Sequence, residues 1–554
     1  MGECELTKKK LVVALEQSIE AQFVDTDPMS VLTPGGRIQV VWDQRGNVTA
    51  MGQLGFFGEY LETTGLFTNW VSGCPLLYAS GNAPEVRDVL GTWMLSILDG
   101  QWRYAHVASL RRDAVAPEIL GMKSLVGDES LRRGLKLIAP APKATHNEAQ
   151  QAQQQAQLNR AEAWMEQSVL DSVLPALSTD WILDCDPTVK VLYGHQCGAE
   201  IGYNPHKPGR PSHTVHTYWV ANLRLVLMAQ VQGGKSNSAA HSLPGLKKLI
   251  LGLPLDKRPC LVRGDCAFGT ERVMCELEEL NQRYLFKLKQ STNVKRLVRR
   301  HWPQAGWCNV GQGWEAHEDQ LKLEGWSKTR RVIVMRHQVK KDLLVETTKH
   351  KRTKRSSAAT KDTEPQQTCL ELIDPNDPVK VWEYAVLVSD TEYALEAIGQ
   401  LYRDRADCEN GFDELKNQWG WGGYSTQDIE RCNLSAQAVA LIYNWWSWYL
   451  RLANPKGRLE AITSRPLLLA AVGRMTEHAG QKRLLISVTH AAVDQVKTLI
   501  SNMREGLQHI RATAPQLPEG NRWRALIGYI VNKILAAKAY GHANATAPPA
   551  LLTG

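Results

Sequence analysis

Short apolar runs, two of which end at acidic residues, constrain the fold of this chain more than any other feature. Residues 181–186, 224–231 and 260–265 have the length and apolar character of buried strands, and residues 245–253 and 270–281 have the pattern of helices. Strands that alternate with helices in this way are typical of an α/β fold. The sequence therefore predicts an α/β core in the middle of the chain.

The region before this core, residues 1–175, has a mixed and mainly helical pattern. The predicted helices cover residues 84–99, 104–112 and 128–138. A hairpin is expected from a strand over residues 37–42 and a turn at 45–47, and Asp128 is expected to cap the third helix. The Gln- and Ala-rich residues 147–163 predict a helical connector to the core.

Residues 176–290 form the first core segment, and the sequence pattern changes twice after it. Residues 291–390 carry strand-like runs and a charged, Ser- and Thr-rich segment over 349–368, which predicts a β-rich insertion with a loop. Residues 391–455 return to the core with a long helix from about Glu392, and residues 456–554 are predicted to be a helical region with a disordered Ala- and Pro-rich end.

Composition excludes several classes of protein. A chain of 554 residues with 43% hydrophobic and 22% charged residues is expected to fold into more than one globular module. Eleven cysteines without a Cys-x-x-Cys pair indicate neither a disulfide framework nor a zinc site, and a reducing cytoplasm fits them. The apolar residues 434–452 contain Gln437, Asn444 and Arg451, so they predict a buried helix rather than a membrane span.

Charge and aromatic content are both slightly unusual. The excess of 65 basic over 57 acidic residues, a net charge of +8, permits a polyanionic partner without requiring one. There are 18 Trp residues against 15 Tyr and 7 Phe, and packing in the core is the ordinary explanation for such aromatic residues.

Acidic side chains end two of the predicted strands. Asp184 and Asp186 lie on one face of the first strand together with Thr188, because side chains alternate with a period of two, and Asp265 ends another strand. The open end of a strand in an α/β fold is a common place for chemistry. Each Asp alone could equally be a structural cap.

A stripe of four chemically different side chains runs along the helix that follows the insertion. Residues three, four and seven positions apart fall within an arc of roughly 60° on a helix, and they are Tyr402, Arg405, Glu409 and Lys416. An adjacent apolar strip consists of Leu401, Cys408, Phe412 and Leu415. The strip predicts that the helix packs on the sheet and turns its polar stripe towards the edge, although a surface helix with ion pairs has the same pattern.

The sequence of this helix resembles that of a known family. The segment Tyr-Arg-Asp-Arg-Ala-Asp-Cys-Glu-Asn-Gly-Phe-Asp-Glu-Leu-Lys at 402–416 is similar to the Tyr-x2-Arg-x3-Glu-x6-Lys signature of bacterial insertion-sequence transposases with an acidic (DDE) triad. Asp-Cys-Asp-Pro-Thr at 184–188, the Pro-rich stretch at 202–213 and Arg-Gly-Asp at 263–265 resemble earlier motifs of the same family. The nearest group is the family named after insertion sequence 1380.

This resemblance implies a fold, a site and a cofactor. The fold would be an RNase H-like core interrupted by a β-rich insertion, and the catalytic, metal-binding triad would be Asp186, Asp265 and Glu409. Asp186 is preferred to Asp184 because of its place in the motif, although Pro187 departs from the family pattern. Three carboxylates suit two Mg²⁺ ions, for which Mn²⁺ can substitute.

Several further residues are candidates for contact with DNA. On the resemblance, Arg405 and Lys416 would hold phosphates and Tyr402 would donate to one. The other candidates lie in the loop before the second strand, in the helix over 128–138 and near the end of the insertion: Lys207, Arg210, His213, Arg132, Arg133 and Trp382. Trp382, or one of Trp302, Trp307, Trp314 and Trp326, could stack a base flipped out of the duplex.

Ordinary structural roles compete with these assignments. The loop and the basic residues 349–355 could simply be solvated, the basic helix could be a packing helix, and each Trp could belong to the core. As a whole, the sequence predicts a metal-dependent DNA transposase that acts as a homodimer on the paired inverted repeats of its element, cuts them and joins the 3′ ends to target DNA. A nuclease that joins nothing and a non-enzymatic DNA-binding protein are the alternatives.

Overall fold

The computed structural model describes residues 29–41, 47–141, 147–177, 180–205, 207–236, 238–340, 372–374, 377–487 and 492–542. Its largest sheet in these ranges has ten strands, and helices cover both faces. The elements before this sheet are β1 Met29–Thr33, β2 Gly36–Val40, β3 Val48–Thr49, α1 Leu54–Thr64, α2 Leu66–Ser72, α3 Val86–Leu98, α4 Val107–Leu110, α5 Val115–Ile119, α6 Asp128–Ile138 and α7 Glu148–Asp171.

The N-terminal predictions are confirmed for the helices and corrected in two details. Helices α3, α6 and α7 lie where the sequence predicts them, and residues 104–112 form a short 3-10 turn followed by α4. The hairpin strand β2 pairs with the preceding β1 around residues 34–35, whereas most of the predicted turn at 45–47 is outside the described residues. Gly127, not Asp128, occupies the cap of α6, and Asp128 makes no capping bond because it is already the first helical residue.

The predicted α/β core is present with all three strands and both helices. Its elements are β4 Ile182–Val191, β5 Ser212–Val220, β6 Leu225–Gly233, α8 Ala239–Gly252, β7 Leu261–Gly264, α9 Glu271–Glu279 and β8 Tyr284–Lys287. The strand order is β6-β5-β4-β7-β8, in which β4, β5 and β6 are antiparallel neighbours and β4, β7 and β8 run parallel. β4 extends beyond its parallel neighbour, since the pairing with β7 stops at Cys185.

The β-rich segment after β8 extends the same sheet instead of forming a separate one. It contains α10 Thr292–His301, β9 Cys308–Asn309, β10 Trp314–Leu321, β11 Arg330–Lys340, β12 Leu372–Asp374 and β13 Asp377–Ser389. β13 pairs antiparallel with β8, so the added strands continue the hydrogen-bond ladder of the core. Buried Arg330 binds Glu271 at 2.5 Å and Glu278 at 2.8 Å, and it thereby ties β11 to α9. Residues 349–368, including the basic run 349–355, lie outside the described residues.

The remaining elements are α11 Leu395–Asp404, α12 Ala406–Gln418, α13 Ile429–Ala453, α14 Ala461–Leu468, β14 Gly473–His478, β15 Gln481–Ile486, α15 Val493–Thr513 and α16 Glu519–His542. The hairpin β14–β15, which pairs with β3, interrupts the predicted helical region. Its residues are mostly exposed or half-buried, so they lack the apolar alternation that predicts a strand. The Ala- and Pro-rich end of the chain lies outside the described residues.

Helix α13 confirms the prediction of a buried helix over residues 434–452. It is buried almost all round, and its polar side chains have partners: Asn444, for example, accepts from Val226 at 3.0 Å and donates to the carbonyl of the same residue at 2.7 Å. Among the residues described, none belongs to a helix with the length and hydropathy of a membrane span. Seven Trp side chains are almost completely buried, as core packing predicts: Trp70, Trp93, Trp219, Trp419, Trp445, Trp446 and Trp448.

Candidate active site

Asp186 and Asp265 lie side by side at the edge of the central sheet. The last paired residues of the parallel strands β4 and β7 are Cys185 and Gly264, so the next residue of each strand is one of these two acids. Neighbouring strands are about 4.8 Å apart, which brings the two carboxylates close to one another. The tertiary structure thus brings together two acids that are 79 positions apart in the sequence.

Helices α11 and α12 cross the same face of the sheet. Leu401, Cys408, Phe412 and Leu415 are all buried beneath them, which confirms the predicted apolar strip. Gly411 permits a close approach, because a Cβ atom there would lie 2.5 Å from the ring of Trp219 on β5. Packing of this side of the helix leaves the side with Arg405 and Glu409 at the point where β7 ends and its pairing with β4 stops.

Arg405 joins two of the three predicted triad members. Its guanidinium contacts Asp186 at 3.1 Å and Glu409 at 3.2 Å. The sequence predicts one continuous helix through Arg405, whereas the structure has two helices that meet at this residue. The Arg405 N–H donates to the Tyr402 carbonyl and the Cys408 N–H to the Arg405 carbonyl, so a tight turn joins the two helices.

The charges and the burial around Asp186 shift its pKa. Burial raises the pKa of Asp186 to about 7, and the charges of Asp265, Glu409 and Asp184 raise it too, while Arg405 lowers it. Burial works to lower the pKa of Arg405, but Asp186 and Asp265 hold it above its ordinary value. The site therefore concentrates negative charge and stabilises a cation.

Asp184 has a different set of partners from Asp186. Both of its carboxylate oxygens accept from Arg263, at 2.6 and 2.7 Å, and the two side chains are each 2% exposed. Arg263 also donates to the carbonyl of Leu401 at 2.5 Å. The pair therefore fixes the end of α11 on the sheet, and no oxygen of Asp184 is left without a partner for a ligand.

The side chains at the edge fit a hard divalent ion by chemistry and only partly by arrangement. Asp186, Asp265 and Glu409 supply the carboxylate oxygens that Mg²⁺ and Mn²⁺ prefer. In the described part of the chain, however, no three acidic, His or Cys side chains form a ready ligand set. The guanidinium of Arg405, a cation itself, lies between Asp186 and Glu409, while the side chain of Glu409 is 65% exposed.

Tyr402 and Lys416 flank the acids on the same helical pair. The Tyr402 ring packs edge-on against Trp314 with 5.7 Å between centroids, and the ammonium of Lys287 lies 6.0 Å from the Tyr402 centroid. Burial lowers the pKa of Lys416, and the charge of Asp186 opposes that shift. Lys287 was not singled out from the sequence, although its place at the end of a strand that neighbours β7 could have indicated it.

The loop between β4 and β5 carries an exposed aromatic and basic cluster. Lys207 and Arg210 lie 5.0 and 5.5 Å from the ring of Tyr193, which is 68% exposed. Their predicted neighbour His213 is placed differently: it is fully buried in β5, and its Nε2 lies 2.7 Å from the Cys197 carbonyl. A side chain packed inside the sheet cannot contact DNA, so His213 is a structural residue.

The remaining candidates lie away from the acids. Arg133 pairs with Glu129 at 3.3 Å on the surface of α6, and Arg132 lies 5.3 Å from the ring of Tyr104. Trp382 is on the opposite sheet face from Asp186, as the register of the strands requires, and it is 4.3 Å from Arg336.

The other predicted stacking residues are divided between the two faces. The ring of Trp307 lies 3.9 Å from the guanidinium carbon of Arg336, so Trp307 and Trp382 both contact one arginine. Trp326 is buried at 7% exposure, and Trp302 is half-buried at the end of α10. Only Trp314, through its contact with Tyr402, adjoins the stripe on the face of the acids.

Comparisons with known proteins place this site within a family. No curated protein matches the chain. One solved structure, the cryo-EM structure of a piggyBac transposase synaptic complex with hairpin DNA, aligns over 96% of this chain and 89% of its own, with 9% identity and a TM-score of 0.36. The family model described as "Transposase DDE domain group 1" matches residues 84–508, a range that includes Asp186, Asp265 and Glu409. The chain therefore belongs to the group 1 family of DDE-domain transposases.

Proposed function

We propose that this protein is a DNA transposase that cuts DNA at the ends of its own element and joins the freed 3′ ends to a target. The observation that carries the proposal is the convergence of Asp186, Asp265, Arg405 and Glu409 at one sheet edge within the segment that matches the transposase family. Three antiparallel strands followed by two parallel ones, in the order β6-β5-β4-β7-β8, support an RNase H-like core.

The side chains of the site have separate tasks in this proposal. Asp186, Asp265 and Glu409 would hold two divalent ions, which supply a nucleophilic hydroxide and neutralise charge on the leaving oxygen. Arg405 carries a forked, permanently charged group that can bind a phosphate through two parallel hydrogen bonds. Lys416 adds a point charge for the next phosphate, and Tyr402 provides a neutral hydroxyl donor.

A phosphate has to displace the present partners of Arg405. The guanidinium is bound to Asp186 and Glu409, and both of those acids are proposed cation ligands. Cations at the acids would neutralise them and release Arg405 for the DNA strand. The same residue then serves as a counter-charge in the free protein and as a phosphate ligand in the complex.

The substrate proposed for this site is duplex DNA that ends in the inverted repeats of the element. The cluster of Lys207, Arg210 and Tyr193 extends from the same end of β4 and would contact the backbone beyond the cut. Arg132 and Arg133 offer a second basic surface on α6. Cutting two ends and joining both to one target requires two sites, which favours a homodimer and a cut-and-paste reaction.

The test compares Glu409→Ala with Asp413→Ala. Asp413 is exposed on the same helix one turn further on, where its carboxylate accepts from Asn417, so it is a matched control for the loss of one acid. We expect Glu409→Ala to abolish Mg²⁺-dependent cleavage of end DNA and to retain binding, while Asp413→Ala keeps both. Cleavage by Glu409→Ala at the wild-type rate would contradict the assignment, and a failure of the wild type to join precleaved ends would reduce the proposal to a nuclease.

A further inference from the structure

A cavity of about 230 Å³ opens beside the acids, between β4 and the end of α12. Its polar lining comes from Thr188, Lys190, Lys416 and Asn417, and Trp421 closes one side. Thr188 and Lys190 follow Asp186 on the same face of β4, because alternate residues of a strand share a face. Lys190 is four residues from Asp186, which corresponds to about 13 Å along the strand.

Lys190 is an unusual residue to find in this position. It is 7% exposed, and its ammonium contacts the carbonyl of Gly423. An ammonium has three donors, and a buried charge is normally paired with an opposite one. Among the described residues, no carboxylate lies within salt-bridge distance of Lys190 or Lys416. Burial lowers the pKa of Lys190 to about 8.

The size and chemistry of the cavity favour a small anion. Pockets for small organic ligands usually measure about 300 to 1,000 Å³, and this cavity is smaller. Val189, Val191 and Val215 form its apolar walls, and Lys190, Lys416 and Thr188 also line it, so a tetrahedral oxyanion would find two cations and a hydroxyl there. The Asn417 amide already donates to Asp413. Trp421 is 3% exposed and donates its indole N–H to the carbonyl of Ala436, so its ring is not free to stack a base.

We propose that this cavity binds a backbone phosphate of the DNA strand that passes Asp186, with Lys190 and Lys416 as its two cations and Thr188 as a neutral donor. The identity of the anion as DNA rests on the proposed function, whereas the presence of an oxyanion site does not. Lys190 thus joins the residues that hold the DNA, although it is not part of the helical stripe.

The first experiment measures the salt dependence of binding to a mixed-sequence duplex. The test variant is Lys190→Met, which keeps the length of the side chain and removes its charge. The control is Lys248→Met, because Lys248 lies on α8 against the opposite face of the sheet and is bound to Glu166 at 2.7 Å. We expect Lys190→Met to reduce the slope of log K against log [salt] by about 0.9, the loss of one phosphate contact, and the control to leave it unchanged. An unchanged slope for Lys190→Met overturns the proposal.

A second variant keeps the test valid if Lys190→Met does not fold. Asn417→Asp changes an exposed side chain at the rim of the cavity and places a carboxylate beside Lys416. We expect it to weaken binding of the same duplex severalfold and to reduce the slope. Binding equal to that of the wild type, by a folded Asn417→Asp protein, contradicts an anion site at this position.

Two further measurements identify the source of the anion. The first measurement uses duplexes in which one phosphate near the cleaved bond is replaced by an uncharged methylphosphonate. At one position the replacement should weaken binding by the wild type and leave binding by Lys190→Met unchanged. If no position behaves in this way, the cavity does not bind a DNA phosphate. The second measurement adds inorganic phosphate. If it raises the melting temperature of the wild type but not of Lys190→Met, and no methylphosphonate position has the expected effect, the cavity binds a free oxyanion instead. If the wild type cleaves no DNA but the slope still changes, the transposase proposal fails and the phosphate site stands.

Discussion

The buried pair of Asp184 and Arg263 permits the most quantitative prediction. Both side chains are 2% exposed, and Arg263 makes three hydrogen bonds, two to Asp184 and one to the Leu401 carbonyl. Burial raises the pKa of Asp184, and the charge of Arg263 opposes that shift. Without Arg263, burial would favour the protonated, neutral form of Asp184. Removal of one partner from a buried pair costs about 3–5 kcal/mol.

The pair can be measured with a double-mutant cycle. We expect Asp184→Leu and Arg263→Met each to lower the free energy of unfolding by about 3–5 kcal/mol, because each leaves a buried group without its partner. The double variant Asp184→Leu/Arg263→Met should lose less than about 3 kcal/mol, since only the Leu401 carbonyl is then left unpaired. The coupling energy from urea unfolding should therefore be about 3 kcal/mol or more.

Two results would refute this reasoning. Additive single effects would mean that Asp184 and Arg263 do not interact in the folded protein. A folded Asp184→Asn variant of normal stability that no longer cleaves DNA would mean that Asp184, and not Asp186, is the cation ligand. We expect Asp184→Asn to cleave DNA at temperatures below its melting temperature, and Asp186→Asn to lose cleavage completely.

Three other predictions follow from the same geometry. The pKa of Asp186 is raised to about 7, so its contribution to stability is lost as the pH rises through 7. Mg²⁺ should offset this loss of stability and raise the melting temperature of the wild type more at pH 8 than at pH 6. The Asp186→Asn variant should not show this difference between the two pH values. The pKa of Lys190 falls from 10.5 to about 8, so its charge destabilises the fold by about 3 kcal/mol below pH 8 and ceases to do so towards pH 10.5. From pH 7 to pH 10 the free energy of unfolding of the wild type should therefore rise by about 2 kcal/mol relative to that of Lys190→Met. A constant difference between the two proteins in urea unfolding would contradict the shift. Fluorescence of 2-aminopurine at the terminal bases should rise on binding if a base flips, and Trp314→Ala should reduce that rise more than Trp382→Ala; a signal that stays quenched in the wild-type complex argues against flipping.

Much of the core could be predicted because the relevant signals are local. The strands β4, β6 and β7 were recognisable from runs of apolar residues, and the buried strip of α11 and α12 from a helical period. A transposase with a DDE domain, too, was recognisable from one helix and three short motifs, and the family model confirms this broader assignment. The hairpin β14–β15 was missed because its strands have no buried face to produce an alternating pattern.

The functional roles of individual residues were harder to predict. His213 follows Lys207 and Arg210 in a polar, Pro-rich stretch, yet it begins a strand inside the sheet and is buried there. Lys190 has no feature in the sequence that separates it from a surface lysine. Its burial depends on Gly423, which is 233 residues away and is brought there by the packing of α12.

The sequence by itself determined the core strands β4, β6 and β7 and most of the helices, which family the chain resembles and which acids are candidates for catalysis, since each of these depends on neighbouring residues. Only the tertiary structure separates the surroundings of Asp184 and Asp186, because Arg263 pairs with the first and Arg405 with the second, and both arginines reach the acids across long sequence separations. It also decided that the inserted strands extend the core sheet and that two lysines share a cavity beside the acids. These outcomes depend on strand register and on the closeness of helix packing, and no local pattern of residues encodes either quantity.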